Sequence, residues 1–522
     1  MRQHFLPVRP IVTALAAIFS LAAIFSASSS TVVIQKSGTD WQLLKDGQPY
    51  YVKGAGGGAY PEKLVAAGGN SIRTWSPDKG TLDKAQSLGL TVCLGISGND
   101  YNSALQSVQT YKNHPALLMW GLGNEMESSV SDQVALWKMV DSIARMVHQI
   151  DGQHPCITAL ADIGNNKLQS IMQNAPNLDA VGINTYSGLS SLKSRVTSTG
   201  WNKAYFVTEF GPVGWWECAK TSWGVPIEQT STAKESTYVT NYQKSITGNT
   251  QCLGGYVFLW GNKQEKTHTW FGMFLTDGSP VGTVDGMQFV WTGAYPANQC
   301  PRIKAGAIKL GRTDAFNSGA DRYFRPTRKL LCIVDADDPD KDSIVVTWDL
   351  RVDVSNNTAT GGAYEPPSVP IVGAVLSSNR DSAVIQLPVD TNLYRVFCYV
   401  KDPKGSAATA NCPIVVSNNA PEPVTNSVSS LPCPGPTDLA VFGAPGAPSV
   451  RVNLDKPTMV IVRAYSVKGE LLATIDKGLR SAGRHLYVLK SAAFAKGLYC
   501  VSLSTPDATI VKKVVIRRSS AD

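Results

Sequence analysis

Between residues 50 and 261 the chain alternates short apolar runs with longer stretches whose apolar residues recur every three or four positions. The runs are YYVKGAG (50–56), NSIRTW (70–75), TVCLGI (91–96), LLMWGLGNE (117–125), PCITAL (155–160), DAVGINTY (179–186), AYFVTEFG (204–211) and GGYVFLWG (254–261). Each has the length of a strand, and most are apolar at successive positions, as strands covered on both faces must be. The stretches between them have helical spacing. In residues 131–150, Val134, Trp137, Met139, Val140, Ile143 and Val147 fall near one face, and Ser131 or Asp132 is placed to cap the first turn. Alternating strands and helices predict a parallel sheet. Eight repeats within this length predict closure into a (β/α)8 TIM barrel. A doubly wound open sheet is the rival fold, but GAGGGAY (54–60) lacks the Gly-x-Gly-x-x-Gly spacing and opens no long helix.

After residue 300 the helical period disappears. KLLCIVDADDPDKDSIVVTWDL (329–350) and LYRVFCYVKDPKGSAATANCPIVV (393–416) alternate like strands broken by Asp, Pro and Gly turns, which predicts an antiparallel sandwich. A segment rich in Pro, Asn and Ser follows, and strand-like alternation returns in GLYCVSLST (497–505), with Tyr499, Val501 and Leu503 on one face. The expected organisation is therefore an α/β TIM barrel followed by two small all-β sandwich domains. Residues 30–298 form the catalytic barrel, 299–418 the first sandwich, 419–438 a linker and 439–522 the second sandwich.

Residues 1–29 read as an export signal, with Arg2 and Arg9 ahead of the apolar run 11–26 and small residues after it. That run is shorter than the roughly 20 residues a membrane span needs, so cleavage and a secreted or cell-surface protein are expected, with an uncleaved anchor as the alternative. The net charge of +8 over 522 residues is spread thinly, without the clustered basic face of a nucleic-acid binder. An oxidising compartment would permit disulfides among the ten cysteines. None lies in a Cys-x-x-Cys pair, so no zinc site is expected. Cys93 and Cys156 read as buried thiols, and Cys332 with Cys398 as a bridge within the first sandwich.

The barrel gives meaning to strand ends, because reactive groups in this fold sit where the strands finish. Arg73 and Trp75 end the second run, Asn124 and Glu125 the fourth, Asn184 and Tyr186 the sixth, Glu209 the seventh and Trp260 the eighth. Two glutamates facing each other across a barrel mouth suit glycoside hydrolysis, in which one carboxyl donates a proton and the other attacks the anomeric carbon. Glu125 is the expected acid/base, since Asn124 beside it can bond a sugar 2-hydroxyl. Glu209 is the expected nucleophile, kept ionised by Arg73 and the Tyr186 hydroxyl. Glu127 offers the same side chain but lies beyond the strand end, where a structural carboxylate is the ordinary case.

WGLGNE, TEFG, IRTW, INTY and the tryptophan of FLWG, in that strand order, resemble the clan A glycoside hydrolases, including families two and five and the fungal β-1,3-glucanosyltransferases. The resemblance covers roughly residues 40–290. It implies a retaining double displacement with Glu125 as acid/base and Glu209 as nucleophile, supported by Arg73, Tyr186 and Trp260. The chain departs from the pattern in carrying no histidine near the ends of strands three and six, and too few residues before the barrel for the N-terminal sandwich of family two. No cofactor or metal is implied.

Trp215, Trp216 and Trp223 lie in the long stretch after the seventh strand, and Trp270 with Phe271 after the eighth. Trp215 and Trp216 are the expected platforms for sugar faces. Short loops elsewhere favour an open cleft and a polymeric substrate, a β-glucan first and a β-mannan second. Two alternatives use the same barrel: a transglycosylase with identical catalytic residues, and a non-catalytic carbohydrate-binding surface protein. The 300–418 region resembles Ig-like domains of the polycystic-kidney-disease or cadherin type. Its Asp335, Asp337, Asp338, Asp340 and Asp342 are candidate Ca²⁺ ligands, with a solvated acidic turn as the commoner arrangement. The C-terminal region resembles type IX secretion sorting domains, which would imply contact with secretion machinery.

Overall fold

The computed structural model describes residues 30–164, 166–310, 313–314, 322–356, 364–420, 438–442, 449–454, 456–488, 497–506 and 509–516. The expected export segment and linker residues 421–437 lie outside them. Among the described residues no helix is long and apolar enough to cross a membrane. The chain divides into two compact units, one ending at Pro421 and the other beginning at Glu422.

The first unit starts with an antiparallel meander that the apolar pattern did not announce: β1 (Val32–Ser37), β2 (Asp40–Lys45) and β3 (Gln48–Tyr50). Its second turn is Asp46-Gly47, both at positive φ, so that Lys45 pairs with Gln48 across a two-residue hairpin. The meander packs Val32 and Leu43 beneath the barrel, against Val52, Leu118, Phe206 and Leu253. Its backbone bonds Gln153 and Thr250, which precede the fifth and eighth barrel strands, so it covers the N-terminal end and leaves the opposite mouth open.

The barrel strands are β4 (Val52–Gly56), β5 (Ser71–Arg73), β6 (Thr91–Ile96), β7 (Leu117–Asn124), β8 (Cys156–Ala161), β9 (Ala180–Asn184), β10 (Ala204–Phe210) and β11 (Cys252–Val257). All eight pair in parallel, and β11 closes on β4. The helices around them are α1 (Pro61–Ala66), α2 (Lys79–Ser87), α3 (Tyr101–Tyr111), α4 (Gln133–Ile150), α5 (Lys167–Asn174), α6 (Leu192–Ser198), α7 (Ser231–Ser245) and α8 (Gly282–Thr292). In α4 the Asp132 carboxylate accepts from the Ala135 N–H, and Leu136, Trp137, Val140, Ile143, Ala144 and Val147 form the buried stripe. Val134 and Met139, expected on that stripe, are exposed because they fall a third of a turn away from it.

The first sandwich packs two sheets face to face. One holds Arg302–Leu310, Lys329–Asp337, Ser382–Gln386 and Val375–Ser378, with the short strand Thr313–Asp314 at its edge. The other holds Tyr323–Phe324, Ala407–Val416, Asn392–Lys401 and Val345–Val352. The expected Cys332–Cys398 bridge is not formed. Each thiol is buried in the apolar interior, and burial pushes both upward, which keeps them protonated. Cys93 and Cys156 are likewise buried thiols. Of the acidic turn, Asp338 accepts the N–H groups of Asp340 and Asp342, Asp340 accepts that of Gln299, and Asp342 pairs with Lys404. These carboxylates are thus engaged in holding the turn.

A buried polar cluster ties this sandwich to the barrel. Glu228 pairs with Lys234 at 2.5 Å and accepts from Thr267, Thr269 and the sandwich residue Asn411. Arg395 reaches Asp353, Asn411 and the carbonyl of Pro226. The second unit is also a two-sheet β-structure. Asp438–Phe442, Ser449–Leu454 and Gly483–Val488 form one sheet, and Thr458–Ser466, Leu471–Arg480, Gly497–Ser504 and Thr509–Ile516 the other. Val501 and Leu503 are in its core, with Tyr499 packed at the edge.

Candidate active site

At the open mouth, strand register brings distant residues into one cluster. Glu209 on β10 pairs with Asn184 at the end of β9, and Arg73 ends β5 nearly opposite. Successive residues of a strand ordinarily point to opposite faces. Asn124 and Glu125 both reach the mouth because the β7–β8 register shifts between Gly121 and Asn124, with Gly123 at φ 74°. Glu125 itself takes a left-handed conformation, φ 52° and ψ 29°, while its N–H still donates to the Ala159 carbonyl. That conformation costs a residue with a Cβ about 1–2 kcal/mol, and such cost concentrates at functional positions.

Glu209 sits among donors. Its Oε1 accepts from the Arg73 guanidinium at 2.8 Å and the Trp75 indole at 3.0 Å, and its Oε2 from the Tyr186 hydroxyl at 3.1 Å. Arg73, buried to 3% exposure, also donates to the carbonyl of Thr208 and, at 2.6 Å, to the side-chain oxygen of Asn124. Asn184 donates to that same oxygen at 3.0 Å and to Glu125 Oε1 at 2.7 Å. Thr208 fixes the Asn184 amide by donating to its oxygen at 2.7 Å, so the NH₂ must face the two acceptors. A chain of hydrogen bonds thus runs from Glu209 through Arg73, Asn124 and Asn184 to Glu125.

The two carboxyls have unlike surroundings. Burial, and then the negative charge of Glu209, push Glu125 above the ordinary glutamate value, against the opposing bond from Asn184. Burial followed by the charges of Glu209 and Glu125 raises Tyr186, which keeps its hydroxyl a donor. Glu127, the rival acid, is buried elsewhere. It pairs with Lys167 at 2.8 Å and accepts from the Ala161 N–H, and it does not line the mouth.

A cavity of about 440 Å³ opens over both carboxyls, walled by Trp75, Asn124, Tyr186, Phe258, Leu259, Lys263 and Glu265. Trp260 does not join it. The eighth strand ends at Val257, and Trp260 turns outward against Phe274 and Trp291, its indole donating to the Tyr60 carbonyl. Phe258 takes the place expected of it, edge-on to Trp75. Trp216 is 47% exposed and meets Tyr186 edge-on, whereas Trp215 is committed to the protein, donating to Glu265 with the Lys266 ammonium over its ring. Trp223 packs against Tyr323, and Trp270 and Phe271 are buried. Thr208, Phe258, Lys263 and Glu265 escaped the sequence reading. Their signal was position: one turns inward within β10, and three follow a strand on the face where this fold keeps its chemistry.

No family model matches the sequence, and no curated protein matches it. Among solved structures, similar folds include the apo form of Bacteroides uniformis β-glucuronidase 3, at 11% identity, with 92% of this chain and 64% of that one covered and a TM-score of 0.38. Ruminococcus gnavus β-glucuronidase in complex with D-glucuronic acid is 17% identical, with 50% of this chain and 52% of that one covered and a TM-score of 0.39. The chain thus spans between about half and just under two thirds of these neighbours' length.

Proposed function

We propose that this protein is a retaining glycoside hydrolase acting on a β-linked polysaccharide, a β-glucan before a β-mannan. The observation that carries the reading is the asymmetry of the two carboxyls over one cavity. Glu209 accepts from three fixed donors, while Glu125 is raised by burial and by the facing charge. In the first step a Glu209 oxygen attacks the anomeric carbon as Glu125 gives its proton to the departing glycosidic oxygen, leaving a glycosyl ester on Glu209. In the second, Glu125 takes a proton from water, whose oxygen attacks the same carbon and releases Glu209. Asn124 is placed to bond the sugar 2-hydroxyl, and Trp75 and Phe258 to pack on the ring. The proposal includes export, on the strength of residues 1–29, and a sorting role for the second sandwich.

The test is product analysis by mass spectrometry on β-1,3-, β-1,4- and β-1,2-glucans and mannan. Wild type should shorten one polymer, and Glu209→Ala should do so at least ~10³-fold more slowly. Products longer than the starting oligosaccharide would assign glycosyl transfer. Intact substrates throughout, with binding kept in both proteins, would leave a binding barrel.

A further inference from the structure

The catalytic cavity shares a wall with a larger groove. Residues 262–268, which follow β11, form that wall, and Lys263 lines both spaces. The groove, about 760 Å³, lies between the barrel and the first sandwich. Its wall is fixed from both sides. Lys263 pairs with Glu265, whose other oxygen holds Trp215, and the Lys266 N–H donates to the buried sandwich residue Glu365. Immediately before Glu365, the Tyr364 ring stands 83% exposed at the groove edge. A bare aromatic ring beside a carboxylate held in the barrel–sandwich junction is an arrangement the fold itself does not require.

The lining has the chemistry of a site for neutral hydroxyls. Its cations are paired with carboxylates: Lys263 with Glu265, Arg351 with Asp349, and Lys401 with Asp277. That pairing leaves little net field for an anionic polymer. His268 Nε2 lies 2.8 Å from the Tyr399 hydroxyl, which donates onward to Asp349. His268 is 8% exposed, and its Nδ1 has no partner among the described residues. Burial lowers this imidazole to about 4, so near neutral pH it is uncharged and adds no positive charge behind the groove.

We infer that this groove is a second glycan-binding site, continuous with the cavity, that holds the part of a neutral polysaccharide chain beyond the reacting sugars. Tyr364 stacks on a sugar face, and Asp349, Arg351 and Tyr399 bond hydroxyls, with the buried His268 holding the Tyr399 hydroxyl from behind. The inference rests on the glycosidase reading for the identity of the ligand.

Calorimetric titration with β-1,3-gluco-, β-1,4-gluco- and β-1,4-manno-oligosaccharides of two to seven units tests it. Three variants serve: Tyr364→Ala, Thr347→Trp to fill the groove from an exposed strand position, and Glu209→Gln. For one series, affinity measured in the Glu209→Gln background, where cleavage is blocked, should rise with chain length. Tyr364→Ala should weaken the heptasaccharide about tenfold, Thr347→Trp should weaken it at least as much, and neither should change the disaccharide. Affinity independent of length, equal losses for short and long ligands, or no binding in any series would overturn the groove site. Length-dependent binding that Thr347→Trp abolishes, in a protein that cleaves nothing, would keep the groove and discard the hydrolase. Cleavage with length-independent binding would do the reverse.

Discussion

Glu125 shows how one residue's surroundings turn into measurable behaviour. Its carboxyl is raised in the folded protein, so its contribution to stability is complete below the unfolded value near 4.5 and is lost as pH climbs through the folded value. Glu125→Gln should therefore raise the melting temperature at pH 7 and leave it unchanged near pH 3. Calorimetric melts across that range check this, and a Gln variant that melts lower at pH 7 would contradict it. Among the described residues Asn184 supplies the hydrogen bond that favours the ionised form of Glu125. Asn184→Ala should shift the alkaline limb of kcat/KM to higher pH and lower kcat by roughly 10–100-fold, since a preorganised donor is lost. An unmoved limb in the pH–rate profile would sever the link between Asn184 and the acid/base. At this scale the sequence displayed the polar residues that end apolar runs, which is why Arg73, Asn124, Glu125, Asn184, Tyr186 and Glu209 stand together in the mouth. Trp260 was misplaced because an apolar run does not reveal where hydrogen bonding stops. The run continues to Gly261, but β11 ends at Val257.

At the scale of elements, β7 carries the most information. Its bulge sends Asn124 and Glu125 the same way, and the short 3₁₀ turn after it, Met126–Ser128, buries Glu127 against Lys167 at the start of α5. Lys167→Met would strand Glu127, whose Oε2 already lacks a partner among the described residues, at 3% exposure. The expected cost is about 3–5 kcal/mol, read by urea unfolding, with kcat per folded molecule within about twofold because neither group lines the cavity. A large fall in kcat without a loss of stability would return Glu127 to the chemistry. The barrel strands were legible as short continuous apolar runs, because both faces are buried, and α4 as an apolar stripe of helical period, because only one face is. The meander β1–β3 was not: it is only half-buried, and its announcing feature was the Asp46-Gly47 turn, a hairpin signal outside the hydrophobic pattern.

At the scale of the molecule, the first sandwich is part of the machine that holds the mouth. Arg302, which opens its first strand, lies 3.8 Å from Glu235 on α7, and Asp285 on α8 accepts the Cys300 N–H at 2.6 Å. Burial raises Glu235 to about 7 and Asp285 to about 6. Both groups therefore favour folding below their unfolded values near 4, and this is lost as pH rises through 6 to 7. The barrel–sandwich unit should be more resistant to urea at pH 5 than at pH 8, and Glu235→Gln should recover roughly 1–3 kcal/mol of the difference. Equal pH dependence in the variant would remove Glu235 from the cause. Domain order was readable from the switch in period after residue 300. The junction was not, because Glu228, Lys234, Asn411 and Arg395 look like ordinary polar and charged surface residues until the fold buries them together.

In the proposed reaction Glu209 attacks the anomeric carbon while Glu125 moves the proton. Proton NMR of the first anomer released from the cleaved oligosaccharide tests it most directly. The β-anomer should come first and mutarotate afterwards. Glu209→Ala should release none until azide is added, when the α-glycosyl azide should form. An α-anomer as the first product, or normal turnover by Glu209→Ala, would contradict it.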